Sequence, residues 1–126
     1  MRYLGIDWGL KRIGLSISEG EIASPLKTLQ VDGLDDAIRQ VVAVIEDEIA
    51  DIIIIGQPEA EMGEAVKKAA KRLKMEGFEV KLFDETLSTI EAQTLMIEMG
   101  LSKKDRKDDN SISAAIILQR FLDERN

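Results

Sequence analysis

Three acidic groups in this 126-residue chain stand where strands should end or a helix should begin. Asp7 follows the apolar run Leu4-Gly5-Ile6 and precedes Trp8-Gly9. Asp84 and Glu85 follow the segment FEVKLF, and Asp108, Asp109 and Asn110 open the last apolar-periodic stretch. An ionised carboxylate at the end of a buried strand is costly unless it is paired or bound to a metal. Carboxylates gathered in one place repel, and a divalent cation relieves that repulsion. Three of them with phosphate oxygens form a hard oxygen shell suited to Mg2+ or Mn2+. Two such ions can clamp the attacking and leaving oxygens of a phosphodiester. The chain has no histidine and no cysteine. That excludes a Ser-His-Asp triad, histidine-ligated zinc and thiolate chemistry. Each carboxylate also has an ordinary structural reading. Asp7 suits a turn, Asp84 a helix N-cap, and Asp108 and Asp109 the positive end of a helix. The residues alone leave both readings open.

Cations flank these positions. Lys11 and Arg12 leave the Asp7 turn, and Lys103, Lys104, Arg106 and Lys107 precede the last helix. Both sets suit contacts to a phosphate backbone. Lys67, Lys68, Lys71 and Arg72 share a helix face below Glu61 and Glu64, the pattern of a solvated surface. Trp8 could stack a base or pack on a helix. The formal net charge of −7 argues against a protein coated in nucleic acid, but not against local basic patches.

These residues need elements to position them. Residues 2–7, 12–18 and 22–29 read as three antiparallel strands. The glycine of SEGE marks the second turn, and Pro25 predicts an edge position or a bulge in the third strand. Helical periodicity follows over 34–49, with Asp32 as the expected N-cap. The run Ile52–Ile55 predicts a strand covered on both faces. A helix over 60–76, a strand over 78–83, a helix over 89–99, a polar loop over 101–109 and a helix over 111–124 complete the order. Helix crossovers between strands predict an α/β fold in which a parallel extension adds to the opening meander. Nothing divides residues 1–126 into more than one domain. No apolar run approaches the roughly 20 residues needed to span a bilayer. No signal peptide is legible. The expectation is a cytoplasmic protein with no membrane partner.

The stretches GIDWGLKRIGLSIS, IIIIGQP, DETLSTIEA and SAAIILQRFLD occur in this order across nearly the whole chain. Together they resemble the YqgF/RuvX family of Holliday junction resolvases. The resemblance implies an RNase H-like fold, a five-stranded mixed sheet of order 3-2-1-4-5 flanked by helices. It implies a metal-dependent nuclease that uses Mg2+ or Mn2+ and water as nucleophile. Carried over by position, the ligands are Asp7 after strand one and Glu85 after strand five. The third position, anchored on Ser113-Ala114, falls on Asn110, with Asp109 one residue before it. Thr86 stands where the family often has arginine, and Gln57 where it has an apolar residue. Asp7, Glu85 and Asp109 are the expected metal ligands, with Asn110 as a further catalytic candidate. Lys11, Arg12 and the 103–107 cluster are expected to hold substrate. The implied partner is nucleic acid, either branched DNA or a precursor of small-subunit ribosomal RNA. Symmetric cutting of a junction would call for a homodimer. A neutral Asn110 also suits a protein that binds nucleic acid or pre-ribosomes without cutting.

Overall fold

The computed structural model describes residues 1–57, 63–84, 97 and 109–125. Strands β1 (Tyr3–Trp8), β2 (Arg12–Ser18) and β3 (Ala23–Gln30) lead into helix α1 (Leu34–Glu48). Strand β4 (Ile52–Gln57), helix α2 (Gly63–Met75), strand β5 (Glu79–Asp84) and helix α3 (Asp109–Arg125) follow. The five strands form one sheet in the order β3-β2-β1-β4-β5. The first three are antiparallel neighbours, and β4 and β5 run parallel to β1. The expected α/β architecture and strand order are therefore both present.

Strand alternation sorts the side chains into two layers. Leu4, Ile6, Trp8, Ile13, Leu15, Ile53 and Ile55 face α1 and α2 in the larger core. Tyr3, Ile52 and Ile54 face α3 with Ala115, Leu118 and Leu122. The isoleucine run of β4 is thus buried on both sides, as its unbroken hydrophobicity predicts. Pro25 lies on edge strand β3, where the pairing slips between Leu15–Lys27 and Ser16–Pro25. The proline occupies both an edge and a bulge, because it has no N–H to give to the ladder.

Asp32 does not cap α1. Gly33 is the N-cap, at φ 93°, and offers no side-chain hydrogen bond. Asp36, in the first turn, reaches back past the cap to accept from the Asp32 backbone N–H at 2.8 Å. Helix α3 begins at Asp109, two residues earlier than the periodicity predicts, because the pattern of apolar residues starts only at Ile112. The expected 89–99 helix lies outside the described residues except for helical Ile97, and the expected loop over 101–109 does so except for Asp109, which is helical. No helix among the described residues is long and apolar enough to cross a membrane.

Candidate metal centre at the carboxyl edge of the sheet

Because β1, β4 and β5 are parallel, their C-terminal ends share one edge of the sheet. Asp7 sits there, paired across the ladder with Gly14 of β2. Directly opposed residues project to the same face, so Asp7 belongs to the α3 side, in the row Tyr3-Gly5-Asp7. Its carboxylate makes no hydrogen bond or ion pair among the described residues. Burial pushes its pKa up, with no cation or donor among the described residues to offset the cost.

Small residues let α3 come close. A Cβ on Gly14 would stand 1.8 Å from the carbonyl oxygen of Asn110. A Cβ on Gly5 would stand 2.4 Å from Ser16 Oγ and 2.7 Å from Leu118 Cβ. The backbone at the start of α3 therefore rests on the residue paired with Asp7. Ser16 Oγ donates to the Ala114 carbonyl at 2.8 Å and fixes the helix one turn further on. At the other end, buried Gln119 accepts from the Ala23 N–H at 2.9 Å and donates to the Glu21 carbonyl at 3.0 Å. Arg125 donates to the Tyr3 hydroxyl at 2.7 Å. These tethers along its length hold α3 in one position over the sheet.

The half-buried Asn110 leads the helical row Asn110-Ala114-Leu118, whose later members touch β1 and β2. Residue 109 lies about 100° round the helix axis from it. The Asn110 side chain makes no hydrogen bond among the described residues. The positive end of the α3 dipole also falls at this edge. Lys11 and Arg12 are exposed in the β1–β2 turn, without an ion pair among the described residues. On β4, Gly56 has the same parity as Ile52 and Ile54, so no side chain there separates Asp7 from β5. Two strand spacings, about 10 Å, lie between the backbones of β1 and β5.

The structure thus brings together Asp7, the Lys11-Arg12 turn and the start of α3. Glu85, Lys103, Lys104, Arg106 and Lys107 lie outside the described residues, and the backbone of Asp109 forms the first residue of α3. Among the described residues, no three acidic side chains converge on a point. Sequence reasoning missed Gly14, Gly5 and Ser16. Their signal was present: Gly5 on β1 and Gly14, Ser16 and Ser18 on β2 put small residues at alternate positions facing one helix.

Comparison with known proteins agrees with this arrangement. A relative from Dictyoglomus thermophilum, described as a candidate pre-16S rRNA nuclease, is 35% identical over 98% of this chain and 96% of its own length. Thermus thermophilus RuvC in complex with a Holliday junction substrate superposes with a TM-score of 0.72 at 17% identity, covering 99% of this chain and 95% of RuvC. The large terminase nuclease of phage G20c with bound magnesium superposes with a TM-score of 0.55 at 17% identity, covering 79% of this chain and 55% of its own. These superpositions show a shared fold. The model of the RuvX Holliday junction resolvase family matches residues 1–124, and this chain belongs to that family.

Proposed function

We propose that this protein is a cytoplasmic, metal-dependent nuclease that hydrolyses phosphodiester bonds in structured nucleic acid. The observation that carries the reading is Asp7, a half-buried carboxylate without a partner among the described residues, at the sheet edge where α3 begins. Such a group suits a divalent cation better than solvent or a turn role. Asp7 and Glu85 would hold Mg2+ or Mn2+, with Asp109 or Asn110 completing the shell. When bound, the ion lowers the pKa of a water nucleophile and neutralises phosphoryl oxygens. The chain's own residues position the substrate. Lys11 and Arg12 hold the backbone beside the reacting phosphate, and the 103–107 cluster holds a neighbouring stretch. Asp7 and Glu85 would hold the ion and through it orient the reacting phosphate. With no histidine in the chain, no side chain offers the usual general base.

The family and the relatives point to two substrates, a Holliday junction and a ribosomal RNA precursor. Side-by-side cleavage of a four-way DNA junction and a precursor RNA, each with and without Mn2+ or Mg2+, tests the reading. Metal-dependent cutting of at least one is expected, and cutting of neither refutes it. Symmetric junction cutting would also require a homodimer, which sedimentation at working concentration measures. The neutral Asn110 supports a second reading, a nucleic-acid or pre-ribosome binding module that does not cut. Calorimetric titration with Mn2+ separates the two, since a module that does not cut needs no metal.

A further inference from the structure

A cavity of about 270 Å³ opens on the opposite face of the sheet, one residue from Asp7. Trp8, Leu10, Leu34 and Ala65 form its apolar walls, and Lys68 stands at its edge. Gly9 and Gly33 add bare backbone. Trp8 is only 6% exposed and belongs to the core, so packing against the helices is its main role. It nonetheless presents part of the indole to this cavity. Leu10 is 67% exposed at the mouth, an apolar side chain that its own fold leaves uncovered.

The size and chemistry define a ligand. The volume lies just below the range of about 300–1,000 Å³ that takes drug-sized molecules, so it suits one flat ring system. The charge is one-sided. Lys68 is exposed and makes no ion pair among the described residues. Asp35 and Asp36, at the start of α1, do not line the cavity and are paired with Arg72 and Arg39. A planar apolar body with a single negative charge beside it describes a nucleotide. Position adds the last element. Asp7 and Trp8 are consecutive, about 3.8 Å apart at Cα, and alternation turns them to opposite faces. A strand with a phosphate at Asp7 needs only to cross the sheet edge at the Gly9 turn, past exposed Lys11, to reach the cavity.

We infer that this cavity is a subsite for the unpaired base of the nucleotide adjoining the reacting phosphate, with Trp8 as its inner wall and Lys68 beside its phosphate. The inference rests on the nuclease reading above. It makes local unpairing at the cut site a requirement for good binding.

Trp8 is the only tryptophan in the chain, so intrinsic fluorescence reports on this cavity alone. The experiment titrates the full-length protein, in chelator at low salt, with a six-nucleotide single strand. A parallel titration uses the matching abasic sugar-phosphate strand. The base-bearing strand is expected to quench Trp8 saturably, and the abasic strand is not. Ala65→Phe, which fills the cavity, is expected to abolish the quenching. Exposed Lys68→Glu, which leaves the core untouched, is expected to weaken it about tenfold, the effect of losing one phosphate contact and adding a repelling charge. Equal quenching by the two strands overturns the inference, as does quenching that neither variant alters. Metal-supplied cleavage by the same preparations separates the two ideas. Base-dependent quenching without cleavage keeps the subsite and refutes the nuclease reading. Cleavage without base-dependent quenching overturns the subsite alone.

Discussion

Gly14→Ala probes how the site is built without touching a candidate ligand side chain. The added Cβ would lie 1.8 Å from the Asn110 oxygen and 2.2 Å from its carbonyl carbon. Real Cβ atoms essentially never come within 3.0 Å of such a neighbour, so the start of α3 must retreat by about 1.2 Å, the difference of those distances. Overpacking of this kind costs about 1–3 kcal/mol. In a domain of this size that lowers Tm by roughly 4 °C per kcal/mol. The functional cost should be larger. A displacement of about 1 Å in a positioned site lowers the rate around a hundredfold. Single-turnover cleavage at saturating metal and a thermal melt measure both. Gly63→Ala, whose Cβ meets nothing within 4 Å, should change neither. If Gly14→Ala melts lower as expected but cleaves at the wild-type rate, the start of α3 is not part of the site.

Three further outcomes follow from the same geometry. Replacing Lys103, Lys104, Arg106 and Lys107 with alanine should weaken nucleic-acid binding and flatten its salt dependence by about 0.9 log units per lost phosphate contact; unchanged affinity and slope would make the segment a solvated connector. Asn110→Asp should raise metal affinity and cleavage together, since it restores a unit of negative charge. If it changes neither while Asp109→Asn abolishes activity, Asp109 is the third ligand. In chelator, the raised pKa of Asp7 favours the folded state only while the carboxyl is protonated. That contribution is complete below about 3.9, the unfolded value. It is lost as pH rises through the higher folded value. Asp7→Asn should therefore match the wild type in acid and melt higher at neutral pH, and a lower neutral Tm would contradict the burial argument.

Much of this fold was legible because its signals are local. The alternation of β2, the unbroken isoleucines of β4 and the period of α1 each fix an element and its face. Pro25 announced an edge and a bulge through the N–H it lacks. The cap of α1 was misread because Asp32 and Gly33 are both acceptable caps. What separates them is where the chain turns helical, which is at Leu34 and leaves Gly33 as the cap. Asp7 stood out because an apolar strand rarely ends in a half-buried carboxylate. The closeness of α3 was harder to see, since it depends on Gly5, Gly14 and Ser16 meeting a helix nearly a hundred residues away. Small residues look the same whether they make room for a helix or merely form a turn. The Trp8 cavity was invisible for a related reason: it forms where three separate segments meet.

The central claim is that Asp7 holds the metal that cuts. The direct test is cleavage of the preferred substrate by wild type and Asp7→Asn in Mg2+, in Mn2+ and in chelator, with folding of both confirmed by melting. Cleavage by the wild type in metal alone, and none by a folded Asp7→Asn, is the predicted result. Equal cleavage by Asp7→Asn, or undiminished cleavage in chelator, would contradict it.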